Sequence, residues 1–168
     1  MSQASSFPAV SKPNARVLIL GSMPGLPSLA ANQYYANPHN AFWRIMAAIY
    51  DFDLGAPYPS RLEKLRENRV ALWDVVASCY REGSLDSAIQ ADSVTVNAFA
   101  EFFRLHGQIE MVCFNGGKAE QLWRRHVAPG LGGARRQLTF HRLPSTSPAY
   151  AAMPYDTKLK RWRSILTP

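Results

Sequence analysis

Apolar residues along this chain gather into four short runs: "ARVLILG" (15–21), "RVALWDVV" (69–76), "IEMVCFNGG" (109–117) and "RRQLTFHRLPSTSP" (135–148). The first three lack strict apolar–polar alternation, which predicts strands buried on both faces, as in a parallel sheet. In the fourth, Leu138, Phe140 and Leu143 are apolar and Pro144 ends the run. The segments between them change to helical spacing. "NAFWRIMAAIY" (40–50) opens on an asparagine suited to an N-cap and places Phe42, Trp43, Met46, Ala47 and Ile49 on one side. "PSRLEKLRENR" (59–69) predicts a short charged helix, and "TVNAFAEFFRLHG" (95–107) a helix stopped by glycine. "GKAEQLWRRHV" (117–127) predicts a helix directly after the third strand, and "YDTKLKRWRSILTP" (155–168) one with Asp156 as N-cap.

Strands alternating with helices imply βαβ units with right-handed crossovers, so the fold class is α/β with a four-stranded, mainly parallel sheet. Residues 1–15 read as a flexible lead-in and 16–168 as a single domain, with residues 80–94 a polar surface loop. At 168 residues such a domain can build a core without disulfide or metal staples. Ligands of these sheets bind beyond the carboxyl ends of the strands. Three turn-rich segments meet that rule, because Gly21–Gly25, residues 115–117 and residues 145–148 follow the first, third and fourth strands.

Composition narrows the classes. No run of ~18 apolar residues is present, which excludes a membrane-spanning helix. The first residues, "MSQASSFPAVSKPNAR", lack the apolar stretch of a signal peptide, so an intracellular, cytoplasmic protein is expected. Cys79 and Cys113 belong to no CxxC pair, and His39, His106, His126 and His141 have no metal-ligand spacing. Buried reduced thiols and no metal or other cofactor are therefore expected. The net charge of +7 favours a polyanionic partner, nucleic acid first. Arg124–Arg125, Arg135–Arg136 and Lys158, Lys160, Arg161 and Arg163 cluster as a phosphate-tracking surface would.

The segment "GSMPGLPSLAANQYYANPHNAFW" (21–43) carries the most chemistry. It fits neither a P-loop nor a dinucleotide-binding turn. Gly21, Ser22 and Met23 form a rigid turn whose backbone amides can face a ligand. Tyr34 and Tyr35 either pack into the core or offer a ring on which a nucleobase stacks. Asn37, Asn40 and Asn115 are amides with both donors and acceptors, able to read a base edge or hold a water. Asn40 could equally be a helix cap, and Asn115 a turn residue. Ser145, Thr146, Ser147 and Pro148 form either a hydroxyl-capped turn or a phosphate grip.

Together, "LILGSMPGLPSLAANQYYANPHNAFWRI", "LWDVVASCYREGSLDSAI", "VCFNGGKA" and "LPSTSPAYA" resemble the uracil-DNA glycosylase superfamily, in particular its hypoxanthine-DNA (deoxyinosine) glycosylase branch, from about Arg16 to about Trp162. The mismatch-specific uracil/thymine branch is similar but more distant. The resemblance implies a three-layer α/β/α sandwich and a metal-free enzyme. Such an enzyme flips a deaminated nucleotide out of DNA and hydrolyses its N-glycosidic bond, leaving an abasic site. It also implies that Asn40 positions the attacking water and Tyr35 stacks on the flipped base. Asn115, with the Gly21–Ser22–Met23 turn, faces the base. Residues 145–148 hold the DNA backbone and support the wedge that fills the vacated stack. The chain departs from other branches at Met23, where they carry asparagine or aspartate, and in its second motif, which offers hydroxyls and no histidine.

The expected activity is thus removal of hypoxanthine by a monofunctional glycosylase, with damaged double- or single-stranded DNA as partner and a monomer as the working state. The alternatives are a uracil-DNA glycosylase acting on G/U mismatches and a catalytically silent DNA-binding domain on the same fold. A small-molecule hydrolase on a generic α/β sheet is a further reading.

Overall fold

The computed structural model describes residues 2–132 and 137–168. In chain order its strands are β1 (Ser2–Ser5), β2 (Val17–Gly21), β3 (Val70–Asp74), β4 (Val76–Arg81), β5 (Thr95–Val96), β6 (Met111–Asn115) and β7 (Thr139–Leu143). Its α-helices are α1 (Leu26–Ala31), α2 (Phe42–Tyr50), α3 (Tyr58–Glu67), α4 (Phe99–Leu105), α5 (Gly117–Leu122), α6 (Ala128–Leu131) and α7 (Tyr155–Leu166).

The four apolar runs supply one sheet in the order β3-β2-β6-β7, with all three pairings parallel. Both faces are covered, which is why the strands read as unbroken apolar runs. From β2, Leu18 and Leu20 point into a cluster with Phe99, Phe102 and Phe103 of α4, Leu122 of α5 and Trp123. Ile19 points the other way, among Phe42, Trp43, Ile45 and Met46 of α2, Leu65 of α3 and Trp162 of α7. Helix, sheet and helix thus form three layers, as the resemblance implies. Cys79 and Cys113 are free and buried.

Several local expectations are corrected. The run 69–76 is two strands. Val75 and Val76 donate backbone N–H groups to the carbonyls of Gly21 and Ser22, and the chain turns there into a second, antiparallel sheet, β1-β4-β5. Residues 1–15 are no flexible lead-in where they are described. β1 pairs with β4 from Ser2↔Arg81 to Ser5↔Ser78, Val10 exchanges backbone hydrogen bonds with Leu72, and the Tyr34 phenol donates to the Pro8 carbonyl at 2.9 Å. The polar stretch 80–94 contains the end of β4, two short 3₁₀ turns (Asp86–Ala88 and Ala91–Ser93), and the buried residues Arg81 and Ile89.

Helix starts also shift. Thr95–Val96 pair with β4 before α4 begins at Phe99. α2 begins at Phe42 with Ala41 in the cap position, and α7 begins at Tyr155 with Pro154 there, leaving Asp156 in the first turn. α5 continues as a π-helical turn, Trp123–Val127. The expected start of the fourth run, including Arg135 and Arg136, lies outside the described residues. Among the described residues no helix is long and apolar enough to cross a membrane.

Candidate base-binding cavity and its rim

A cavity of about 540 Å³ opens at the carboxyl ends of the parallel strands. It is lined by the turn after β2 (Gly21, Ser22, Met23), by Tyr35, Asn37 and Asn40, by Asp74 and Asp86, by Asn115, and by Ser145, Thr146, Ser147 and Pro148. The three turn-rich segments therefore converge on one rim.

Gly21 is required by crowding. A Cβ there would stand 2.5 Å from Asp74 Oδ1 and 2.9 Å from the Tyr35 hydroxyl. Gly116 carries φ +94°, and a Cβ on it would meet Ser145 Cβ at 3.0 Å, so β6 and the 145–148 turn close up only around glycine. Tyr35 itself sits at φ 54°, a left-handed conformation that costs energy in a bulky residue. Two contacts hold it there. Its ring stacks on Phe42, with centroids 4.1 Å apart at 25°, and its hydroxyl accepts Asn115 Nδ2 at 3.1 Å. Burial pushes the Tyr35 phenol far up, so it stays neutral. Tyr34 is core: it is 3% exposed, and its backbone carbonyl accepts Trp43 Nε1.

The asparagines are more committed than sequence suggests. Asn115 Nδ2 also donates to Thr146 Oγ1 at 2.9 Å, and its Oδ1 accepts Thr146 N–H at 2.9 Å. The amide is thus a clamp joining Tyr35 to the 145–148 turn. Asn40 Oδ1 accepts the N–H of Phe42 at 2.9 Å, which steadies the first turn of α2 from one residue before the cap. Its amide donors and second oxygen lone pair are the groups it can offer a water or ligand.

In the 145–148 turn, Thr146 is 1% exposed and its carbonyl accepts Ala41 N–H. Ser145 Oγ accepts Ser147 N–H and Ser147 Oγ accepts Ala149 N–H, both at 3.2 Å. These amides are therefore already used inside the turn; the two serine O–H donors are what it can present outward. Met23 is 7% exposed and packs into the apolar core, and Ser22 Oγ donates to Asp86 Oδ1 at 2.5 Å.

Three charged residues escape a reading of the turns alone. Asp74 ends β3 at 3% exposure, Asp86 sits in the 3₁₀ turn after β4, and Arg81 ends β4 at 2% exposure with Nη2 on the Pro24 carbonyl at 2.5 Å. The signal for Asp74 was available: an acid inside the apolar run "LWDVV", at the carboxyl end of a buried strand. Arg81 carried no such signal.

Beside this cavity lies a second, of about 720 Å³, sharing Tyr35, Asn37, Asn40, Thr146, Ser147, Pro148 and Tyr150. Its further lining includes His39, Arg44, Arg61 and Lys158 and no acid, whereas the first holds Asp74 and Asp86 and no base. Lys158 is 6% exposed, with Nζ donating to the Tyr150 carbonyl at 2.7 Å. It therefore steadies the rim and leaves the exposed surface of α7 to Lys160, Arg161 and Arg163. Among the described residues no three His, Cys, Asp or Glu side chains gather as a metal site would.

The chain has relatives. The family model of the uracil DNA glycosylase superfamily matches residues 7–166. A hypoxanthine DNA glycosylase of Methanosarcina acetivorans is 37% identical over 145 residues, 81% of this chain and 90% of that protein. One of Methanosarcina barkeri is 40% identical over 114 residues, 67% and 71% respectively. A solution NMR structure from M. acetivorans, provisionally assigned as a uracil DNA glycosylase, superposes with a TM-score of 0.81 at 32% identity, covering 98% of this chain and 97% of its own. The chain belongs to the uracil DNA glycosylase superfamily.

Proposed function

We propose that this protein is a DNA glycosylase that flips a deaminated base, hypoxanthine first, out of DNA and hydrolyses its N-glycosidic bond. The observation that carries this reading is the pair of joined cavities. One is acidic and amide-lined, walled by a stacked tyrosine, and large enough for a base. The other is basic and suits the phosphates of the strand from which that base is turned. Family membership and the named activity of the two Methanosarcina relatives support the same reading.

In this scheme the extruded base enters beside Tyr35 and below the Gly21–Ser22–Met23 turn. Asn40, between the two cavities, holds the water that attacks C1′. Ser145 and Ser147 present their O–H donors to the phosphates flanking the flipped nucleotide. Pro148 and Tyr150, exposed on the same turn, fill the gap in the stack. Flipping costs a few kcal/mol of unstacking, which backbone contacts must offset. Asn115 acts by keeping Tyr35 and the turn in register. The protein works as a monomer on intracellular DNA.

The test is a labelled duplex with one deoxyinosine, incubated with the protein and then treated with alkali. Scission at the lesion, absent from duplexes of ordinary bases, is expected. A protein that binds this duplex but leaves no alkali-labile site would be a silent DNA-binding domain. A duplex with a single G/U mismatch, run in parallel, separates a uracil preference.

A further inference from the structure

Asp74 is the least explained charged group in the cavity. It stands at the sheet end, next to Gly21 in the β2–β3 register, and its Oδ2 is buried without a hydrogen-bond partner. Its surroundings come from every neighbouring element. The Gly21 backbone faces it from β2, the Tyr34 and Tyr35 phenols from the loop after α1, Arg81 from β4, and Asp86 from the 3₁₀ turn beyond. None of these neutralises it through a hydrogen bond. Arg81 spends Nη2 on the Pro24 carbonyl, and its Nε and Nη1 are themselves without partners. Asp86 is engaged by Ser22.

A buried carboxyl oxygen that accepts no hydrogen bond is stable as O–H and costly as an anion. Burial first, then the negative charge of Asp86, only partly offset by Arg81, pushes the Asp74 carboxyl up to about 7. An acid so placed can hold a proton near neutral pH and give it up on demand. The other half of the need is on the rim: the 145–148 turn offers only hydroxyls, so nothing there can protonate a leaving base.

We propose that Asp74 is a catalytic residue of this cavity, donating its carboxyl proton to a ring nitrogen of the departing purine, N3 or N7. This rests on the reading of the cavity as a base pocket. The C1′–N9 bond breaks with its electron pair passing to the base, while the Asp74 proton moves to N3 or N7. The base thus leaves as a neutral tautomer instead of an anion. Water adds to C1′ and releases one proton, which returns to the Asp74 carboxylate and restores the acid.

The experiment is single-turnover excision at saturating protein, from about pH 5.5 to pH 8.5. Duplexes carry deoxyinosine, its 7-deaza analogue or its 3-deaza analogue, and the proteins are wild type and Asp74→Asn. For wild type on deoxyinosine, the rate should fall toward tenfold per pH unit above about 7. Asp74→Asn should lose about 10²-fold or more near pH 6, within the usual range for a general acid, and lose that pH limb. The analogue lacking the accepting nitrogen should be cut far more slowly than deoxyinosine by wild type, and that ratio should shrink in Asp74→Asn. A variant that keeps the wild-type pH limb, or loses the same factor on all three duplexes, overturns the proposal. If Asp74→Asn does not fold, the wild type decides: both analogues released with the deoxyinosine rate and pH profile overturn it as well. A wild type that releases no hypoxanthine removes the function and this inference together, whereas release that ignores Asp74 removes the inference alone.

Discussion

Replacing Asn115 by leucine probes the clamp that shapes the site. Leucine keeps the γ-branched shape of asparagine but carries no polar atom, so three hydrogen bonds disappear: those to the Tyr35 hydroxyl at 3.1 Å, Thr146 Oγ1 at 2.9 Å and Thr146 N–H at 2.9 Å. Each contributes about 1 kcal/mol net, and more where the abandoned partner stays buried, as Thr146 does at 1% exposure. The expected loss is therefore about 3 kcal/mol, which in a domain of this size lowers Tm by roughly 6–12 °C. Thr146→Val removes one of the three bonds and keeps the backbone donor, so it should cost about 1 kcal/mol, or roughly 2–4 °C. In the double variant the Oγ1 bond is lost only once, so the two effects should fall short of additivity by about 1 kcal/mol. Thermal melts and urea titrations of the four proteins measure all of this. Single-turnover excision should show Asn115→Leu losing activity with Tyr35 released from its left-handed conformation. A Tm within about 2 °C of wild type, or strict additivity with Thr146→Val, would refute the clamp.

Other substitutions separate chemistry from architecture. Asn40→Ala should lose most single-turnover excision while still binding deoxyinosine duplex; because it removes the bond to Phe42 N–H, a loss of about 1 kcal/mol should appear in the melt, and near-normal turnover would leave Asn40 a purely structural group. Tyr35→Ala should weaken binding to lesion duplex more than to undamaged duplex, by the roughly 1–3 kcal/mol that stacking on an aromatic ring supplies; equal losses on both, measured by anisotropy titration, would argue against stacking. The Ser145→Ala/Ser147→Ala variant should excise inosine opposite cytosine less well relative to wild type than it excises inosine in a single strand, and wild-type affinity should fall steeply with salt, since each neutralised phosphate adds about −0.9 to the log–log slope; an equal fractional loss on both substrates removes the turn from holding the flipped state. Because the folded Asp74 carboxyl is raised to about 7 from an ordinary value of 3.8, the folded state binds the extra proton between these values, so stability should fall as pH rises from about 4 through about 7 and level off above; Asp74→Asn should flatten that segment in pH-dependent urea titrations, and an unchanged slope there would contradict it.

Much of the architecture was legible in local pattern. The runs at 15–21, 69–76 and 109–117 are apolar without alternation because their strands lie inside a sheet covered on both faces, and Ile19 and Leu20 each find a core on opposite sides. The placement of the rim followed from the rule that parallel strands present their carboxyl ends to ligands. Residues 2–5 were not legible, since "SQAS" carries no apolar pattern; what orders it is backbone pairing with β4, some 75 residues away, and pairing through N–H and C=O groups leaves no mark on side-chain type.

At the site, sequence by itself determined which side chains were on hand: an aromatic pair, several amides, a hydroxyl turn and an acid inside "LWDVV". Tertiary structure decided what each does. Adjacent Tyr34 and Tyr35 take opposite fates because Tyr35 alone adopts φ 54°, which sends its ring to Phe42 and the cavity while Tyr34 enters the core. Asn115 serves as a clamp because β6 and the 145–148 turn meet around Gly116. The proton on Asp74 is decided furthest from sequence. Its affinity depends on burial, on Asp86 across the cavity and on an arginine committed to Pro24, three conditions that exist only once the two sheets have packed.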